Sequence, residues 1–202
     1  MMFRRLLTMV ALTLALSAGA AAQAGAQSVE AATAADIDAY WAGQFAGRGL
    51  SYSSPGFMAI YGETSTSCGP ITPEILGPAA YCPMDNVIYV APAWEEVYQG
   101  AEWITILAHE WGHHVQVLMG LGGFPTDEGE LQADCLAGAY VADAEARGAI
   151  APGTFTRGMG TSIRSGQPPW VPDEAGVHGT GSERGGSYMS GYMSGADACG
   201  IW

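Results

Sequence analysis

Three of the four histidines in the sequence lie within six residues, at His109, His113 and His114. His109 and His113 belong to an H-E-x-x-H motif whose second residue is Glu110. Residues four apart share one face of a helix, so two imidazoles at this spacing can reach one cation at about 2.0–2.1 Å. Glu110 lies one position along, where it can take a proton from metal-bound water without binding the metal. The motif predicts one catalytic Zn²⁺ per chain, with Glu110 as the general base.

A catalytic zinc site has three protein ligands and one open position, and Glu130 is the candidate for the third ligand. Glu130 and Asp134 are four residues apart in a second predicted helix, so they share a face. A turn over residues 120–127 can lay this helix against the first. Asp134 is then expected to hydrogen-bond an imidazole N–H, that of His109, and fix its tautomer. A solvated helix face is the alternative for both carboxylates, although the neighbouring residues predict burial.

The remaining histidines carry weaker signals. His114 points about 100° away from His113 around the helix, so we expect a structural role for it. His178 lies in a glycine-rich segment, and its residue type and surroundings fit a surface position as well as a functional one.

Hydrophobic spacing predicts the elements that position these residues. Two long helices over 101–119 and 128–147 carry the proposed ligands, and an amphipathic helix over 36–48 precedes them. The other expected elements are strands at 57–61 and 87–91, a turn-rich connection at 62–86, short helices at 93–99 and 188–199, and an ordered loop at 153–181.

The first 26 residues have the order of parts found in a secretory signal peptide. Arg4 and Arg5 precede an apolar run over residues 6–18, and small residues allow cleavage near residues 22–26. A retained membrane anchor is the alternative, but the run is shorter than the ~20 residues of a spanning helix. We therefore expect residues 27–202 to form a single domain that is secreted or periplasmic.

The chain after the leader is strongly acidic. From Gln27 onward there are five arginines, no lysine and all twenty acidic residues, which gives a net charge of 5 − 20 = −15. Such a surface repels the phosphates of nucleic acids and anionic lipids. The expected partner is a peptide or protein substrate, with no nucleic acid and no stable membrane insertion after leader removal.

Four cysteines in an exported chain favour disulfide bonds. Three pairings are possible. We favour Cys68 with Cys82, which closes a loop rich in glycine and proline, and Cys135 with Cys199, which ties the C-terminal segment to a helix. Free buried thiols are the alternative.

Several segments resemble the bacterial neutral zinc metallopeptidase family. The most specific are AHEWGHHVQ at residues 108–116 and ELQADCLAG at residues 130–138. The family is also matched by residues 81–85, by the His-Gly-Thr and Glu-Arg pieces at 178–184, and by residues 191–199. All these segments occur in the family's order along the chain. The resemblance covers roughly residues 36–199.

This resemblance implies an α+β fold, a small thermolysin-like zincin of the gluzincin type, with helices around the H-E-x-x-H helix and a short antiparallel sheet. It implies zinc at His109, His113 and Glu130, and it supports both favoured cysteine pairings. It also makes His178 a candidate for stabilising an oxyanion at the open metal position. One departure from the family is the small sequence Gly-Gly-Ser at residues 185–187, where a bulky, basic and aromatic helix is usual.

Together these observations predict an exported zinc metallopeptidase, a hydrolase of the metalloendopeptidase kind. By analogy with zincins, the strand at residues 87–91 is expected to pair with an extended peptide at its edge. Two alternatives stay open: a non-catalytic, zinc-stabilised binding module, and a zinc amidase that acts on a non-peptide amide.

Overall fold

The computed structural model describes residues 29–122, 126–167 and 178–202, in which six α-helices accompany two small β-sheets. This composition confirms the expected α+β class. None of the helices within these ranges is long and apolar enough to cross a membrane. The predicted signal peptide at residues 1–26 lies outside the described residues. The helices are α1 (Val29–Gly47), α2 (Pro73–Leu76), α3 (Ala101–Leu118), α4 (Asp127–Ala146), α5 (Thr154–Ser165) and α6 (Gly181–Ser194).

The larger sheet has three strands in the order β1–β5–β4. The β4 strand is antiparallel to β5, whereas β1 is parallel to it. The prediction of an antiparallel sheet is therefore wrong for β1, because the long segment 60–86 allows a crossover between β1 and β5. The smaller sheet is the antiparallel pair β2–β3. The strands are β1 (Gly56–Ala59), β2 (Thr64–Thr66), β3 (Gly69–Ile71), β4 (Ala79–Cys82) and β5 (Val87–Val90).

The sheet order also corrects the expected peptide-binding edge. The strand predicted at residues 87–91 is β5, which is paired on both sides and has no free edge. The edge strand nearest the proposed site is β4, which lies within the segment 62–86 that the sequence predicts as a turn-rich connection. Its four residues, Ala-Ala-Tyr-Cys, are too few to be distinguished from a loop by periodicity.

The apolar stripes predicted from the sequence form the core. In α1 the side chains of Ile37, Trp41 and Phe45 are buried, and this helix packs against α3. The α1 helix begins at Val29, earlier than the predicted start at residue 36. In α3 the residues Leu107 and Val115 are fully buried and belong to the same cluster.

The segment predicted as an ordered loop at residues 153–181 contains helix α5, so that prediction is wrong over its first half. Glycine and hydroxyl residues suggest a loop, but here they permit close packing. A Cβ at Gly158 would lie 2.3 Å from both the Thr105 Oγ1 and the Tyr188 hydroxyl, so only glycine lets α5 approach α3 and α6 this closely.

Two other short elements differ from prediction. The helix expected at residues 93–99 is only a 3₁₀ turn at Pro92–Trp94. The last helix, α6, begins at Gly181, ahead of the expected residue 188, because Thr180 and Glu183 form a reciprocal capping box at its start. A 3₁₀ turn, Ala196–Cys199, follows it.

Helices α4 and α6 cross with their backbones almost in contact. A Cβ on Gly138 would lie 2.0 Å from the carbonyl oxygen of Tyr188, and one on Gly191 would lie 1.7 Å from that of Cys135. The disulfide Cys135–Cys199 joins α4 to the turn that follows α6. The contact between these helices thus depends on two glycines and one covalent link.

The second disulfide is Cys68–Cys82, so the structure contains both cysteine pairings favoured from the sequence. Cys82 is the last residue of β4, and Cys68 lies between β2 and β3. This bond therefore ties the β2–β3 pair to the edge strand.

An ion pair fastens α1 to the end of α4. The carboxylate of Asp36 accepts hydrogen bonds from Arg147 at 3.1 and 3.2 Å and from the Tyr140 hydroxyl at 2.9 Å. Burial acts to raise the pKa of Asp36, but the hydrogen bonds from Arg147 and Tyr140 outweigh it and lower that pKa. The folded state therefore favours the ionised form of this carboxyl.

Candidate metal centre

Side chains from α3 and α4 bring two imidazoles and one carboxylate together. The Nε2 atoms of His109 and His113 are 3.1 Å apart. Oε2 of Glu130 lies 3.2 Å from the His109 Nε2, and Oε1 of Glu130 lies 3.3 Å from the His113 Nε2. Within the described part of the chain, these three residues form the one group of histidine, cysteine and acidic side chains that could hold a metal ion.

The close approach of α3 and α4 makes this convergence possible. A Cβ on Gly112, the residue before His113, would lie 2.9 Å from the Cα of Ala133. Glycine at this position therefore lets the two helices approach until Glu130 reaches the histidines. Thr126 caps the start of α4, where its hydroxyl accepts a hydrogen bond from the Gly129 N–H at 3.0 Å.

Hydrogen bonds on the far side of each imidazole set its tautomer. The Nδ1 of His109 lies 3.1 Å from the Asp134 carboxylate, the contact expected from the sequence. The Nδ1 of His113 lies 2.9 Å from Oε1 of Gln116. Because both acceptors require an N–H at Nδ1, each Nε2 presents a lone pair to the shared point.

Gln116 is a residue of the site that sequence reasoning missed. Its amide nitrogen donates to the Gly129 carbonyl at 2.7 Å and to the Gln132 side chain at 3.1 Å, which directs its oxygen at His113. Its spacing of three from His113 on a helix is a signal that could have found it.

The donor set fits zinc. Two imidazole nitrogens and a carboxylate oxygen are typical zinc ligands, and tetrahedral bonds of about 2.0–2.1 Å separate ligand atoms by about 3.3 Å. The 3.1 Å between the two Nε2 atoms, and the 3.2 and 3.3 Å from them to the two oxygens of Glu130, are close to that value. Lone pairs of two imidazoles and a carboxylate at such distances repel one another unless a cation lies between them.

The electrostatics of the cluster also favour a cation. Glu130 and Asp134 are buried, with 5% and 1% of their surfaces exposed. Burial acts to lower the pKa of His109, but hydrogen bonds to Asp134 and Glu130 raise it to about 10. For Glu130, the hydrogen bonds from His109 and His113 outweigh burial and lower the pKa. The carboxylates thus stabilise positive charge at the imidazoles, whether a proton or a metal ion supplies it.

Glu110 lies beside the ligands but outside their set. It is buried, and its Oε2 accepts a hydrogen bond of 2.8 Å from the backbone N–H of Tyr81 on β4. Burial raises the pKa of Glu110. The hydrogen bond to Oε2 therefore holds this carboxyl in place, and its raised pKa suits it to exchanging a proton.

A cavity of about 390 Å³ opens onto these groups. The edge strand β4 lines one side with residues 79–81, and α5 lines another with Thr161, Ser162 and Ser165. Its walls also include Glu110.

The two other histidines have different surroundings. His178 borders the cavity with half of its side chain exposed, and its Nδ1 lies 3.5 Å from Oε2 of Glu130. His114 is fully buried, where its Nε2 lies 2.8 Å from the Ser53 carbonyl and its Nδ1 lies 3.3 Å from the Tyr81 hydroxyl. Burial lowers the pKa of His114, so a neutral, hydrogen-bonded ring fits the expected structural role.

Arg184 is the second residue that sequence reasoning missed as part of the site. It is buried on α6 and contacts Asp134, with Glu130 and His109 close by. Its partners are 50 or more residues away in the sequence, so no local pattern reveals them.

Residues 11–123 match the model of a protein family described as "Putative neutral zinc metallopeptidase". This match covers more than half of the 202 residues. The chain belongs to this family. The matched segment includes the H-E-x-x-H motif and ends before Glu130.

The chain is similar to proteins of Escherichia coli and Mycobacterium tuberculosis. The "Uncharacterized protein YpfJ" of Escherichia coli (strain K12) is 29% identical over 188 residues, covering 78% of this chain and 64% of the relative. The "Uncharacterized protein Rv2575" of Mycobacterium tuberculosis is 33% identical over 140 residues, covering 60% of this chain and 46% of the relative. The chain thus spans less than two thirds of these relatives' lengths. No solved structure matches it.

Proposed function

We propose that the chain is an exported, zinc-dependent metallopeptidase with a zincin-like fold, which hydrolyses peptide bonds. His109, His113 and Glu130 would hold one zinc ion, and Glu110 would act as the general base. The single observation that carries the proposal is the convergence of two imidazole nitrogens, 3.1 Å apart, on the Glu130 carboxylate, whose two oxygens lie 3.2 and 3.3 Å from them, with a second carboxylate, Glu110, beside the group. Family membership supports the choice of zinc and of peptidase chemistry.

Zinc would supply a Lewis acid that activates a water molecule and polarises the scissile carbonyl. Glu110 accepts the proton from the attacking water and delivers it to the leaving amine. The Tyr81 N–H holds one oxygen of this carboxylate, and burial raises its pKa toward the range in which a carboxyl can both take and return a proton. His178, at the cavity rim, is proposed to donate a hydrogen bond to the developing oxyanion.

The outer edge of β4 is the proposed docking site for an extended peptide. It is an edge strand, and its residues 79–81 line the cavity beside Glu110. Backbone pairing along this edge would place a substrate carbonyl next to the three ligands.

Export is proposed on two observations. The N-terminal residues have the pattern of a signal peptide, and two disulfides are typical of oxidising compartments. N-terminal sequencing of protein recovered from outside the cytoplasm should begin near residues 23–27. Recovery of the intact chain from the cytoplasm alone would contradict export.

A non-catalytic binding module is the rival from another class. A structural zinc site is closed by four protein ligands, whereas the group found in the described residues has three. The open position favours catalysis. A zinc amidase for non-peptide amides would use the same groups, so only a comparison of substrates separates it from a peptidase.

The deciding experiment compares the wild type with Glu110→Gln on a broad peptide library and on a panel of N-acyl amides. Elemental analysis should find about one zinc per chain in both proteins. We expect Glu110→Gln to lose hydrolysis by several orders of magnitude, since it keeps the ligands and removes only the base.

The matched control is Glu102→Gln, which changes a glutamate on the same helix. Glu102 pairs with Arg164 at 2.5 Å and does not belong to the group that could hold the metal. It should keep full turnover. Zinc-loaded wild type that cleaves neither substrate class would favour the binding module, and cleavage of the N-acyl amides alone would favour the amidase.

A further inference from the structure

Arg184 is a buried cation that the proposed reaction leaves without a role. Its side chain is 6% exposed and it comes from α6, a helix that contributes no ligand to the metal group. Its Nε donates to Oδ2 of Asp134 at 2.6 Å, and its Nη2 donates to Oδ1 of the same carboxylate at 3.2 Å. The planar guanidinium therefore grips both oxygens of Asp134.

The same carboxylate holds the first zinc ligand. Oδ1 of Asp134, the oxygen that accepts from Arg184 Nη2, also lies 3.1 Å from Nδ1 of His109. A carboxylate held by two hydrogen bonds to one rigid fork cannot rotate about its terminal bond. The direction of the His109 imidazole is thus fixed by Asp134, which is in turn fixed by Arg184.

We propose that Arg184 is a positioning residue of the metal centre, which sets the orientation of His109 by clamping Asp134. This inference rests on the proposed zinc site of His109, His113 and Glu130. It extends the site to a third helix and makes α6 necessary for the geometry of ligands that α3 and α4 carry.

Burial explains why such a clamp is needed. Asp134 is 1% exposed, and an ionised carboxylate at that depth is strongly destabilised unless it is paired. His109 supplies one hydrogen bond, which leaves the second oxygen without a partner apart from the guanidinium. Without Arg184, Asp134 would be free to turn, and that change would release His109.

The position of Arg184 is itself tightly fixed. Its Nη1 donates to the Ser165 carbonyl at the end of α5, at 3.3 Å. The next residue, Gly185, packs against Ile163 so closely that a Cβ would lie 2.6 Å from its Cγ1. The glycine contacts between α4 and α6 hold the other end of the helix. Arg184 can therefore transmit a defined geometry to Asp134.

A direct contact with substrate is the competing role, since Arg184 also borders the cavity and its Nη2 lies 3.4 Å from Oε2 of Glu130. The two roles predict different measurements. Substitution of a substrate-binding arginine raises KM and leaves zinc affinity unchanged. Substitution of a positioning arginine weakens zinc affinity in the absence of any substrate.

The test measures the zinc dissociation constant by competition with a chelator, in wild type and in Arg184→Lys, Arg184→Met and Asp134→Asn proteins. Lysine keeps the charge but lacks the fork, so Arg184→Lys separates positioning from charge. We expect both Arg184 variants and Asp134→Asn to bind zinc about 10- to 100-fold more weakly. The absorption bands of Co²⁺-substituted protein should shift in the Arg184 variants, because they report ligand geometry.

The double variant Asp134→Asn/Arg184→Met decides whether the arginine acts through Asp134. It removes both buried charges, and we expect its zinc affinity to be no weaker than that of either single variant. If the two substitutions weakened zinc binding independently, their fold-changes in the zinc dissociation constant would multiply in the double variant, and that result would overturn the proposal. Arg164→Met, which changes an exposed arginine paired with Glu102, is the control and should bind zinc like the wild type.

Other outcomes are equally clear. Arg184→Lys with wild-type zinc affinity and an unshifted Co²⁺ spectrum would refute positioning, and a raised KM in that protein would assign the residue to substrate binding. If Arg184→Met does not fold, Arg184→Lys and Asp134→Asn still give the comparison. A wild type that binds no zinc would overturn the proposed function instead.

Discussion

The crossing of α4 and α6 can be tested by a single added methyl group. Gly191→Ala would place a Cβ 1.7 Å from the carbonyl oxygen of Cys135. The shortest ordinary approach of carbon to a carbonyl oxygen is about 3.3 Å, so the helices would have to separate by roughly 1.6 Å. The obstacle is backbone, which cannot turn aside as a flexible side chain would.

The size of the effect follows from two opposing contributions. Overpacking of this kind costs up to about 3 kcal/mol, while replacing glycine by alanine inside a helix stabilises by about 1 kcal/mol. The net loss is about 2 kcal/mol, which lowers the melting temperature of a chain this long by roughly 4–8 °C.

Gly186→Ala is the matched control on the same helix. A Cβ at Gly186 meets nothing within 4 Å, so only the helix-propensity gain applies. This variant should melt roughly 2–4 °C above the wild type. Thermal unfolding followed by circular dichroism compares the two proteins directly. If Gly191→Ala melts as high as Gly186→Ala, the close crossing of α4 and α6 is wrong.

Three further predictions concern the links around this core. The double variant Cys135→Ser/Cys199→Ser should lose about 4 kcal/mol in urea unfolding, because a sequence separation of 64 leaves a long unfolded loop unrestrained; a loss below 1 kcal/mol would contradict this. Asp36→Asn should lower the melting temperature at pH 7, where the carboxylate binds Arg147. Because the folded-state pKa of Asp36 is lowered, its contribution is present above about pH 4 and is lost as pH falls through that lower value, so the melting temperatures of the two proteins should converge as the solution becomes strongly acidic. Removal of metal by a chelator should abolish hydrolysis and lower the melting temperature, and added zinc should restore both; a chelator-resistant activity would exclude a zinc mechanism.

Helices α3 and α4 could be predicted from the sequence because their signals are local. The apolar stripe of α3 ends at a run of glycines, and the structure places its helix at Ala101–Leu118 against an expected 101–119. The spacing of His109 and His113 on one face is a property of the helix alone. Glu130 and Asp134 could be added because a second long helix follows after a short turn and places them on one face.

The remaining features depend on contacts that no local pattern encodes. Helix α5 has glycine and hydroxyl residues that suggest a loop, and it is stable because those small residues allow contact with α3 and α6. The parallel pairing of β1 with β5 depends on the path of the segment between them. Arg184 is polar in a helix of mostly small residues, and only its tertiary contact with Asp134 shows its burial.

The three residues proposed to hold zinc all come from α3 and α4, within 22 consecutive positions of the chain. Contacts so near in sequence close with little loss of chain entropy and form early in folding. The guanidinium that clamps Asp134 arrives from a helix 50 residues farther on. Capture of the proposed zinc ion would therefore precede completion of its surroundings, and the arrival of the last helix would convert a loosely held ion into a rigidly oriented one.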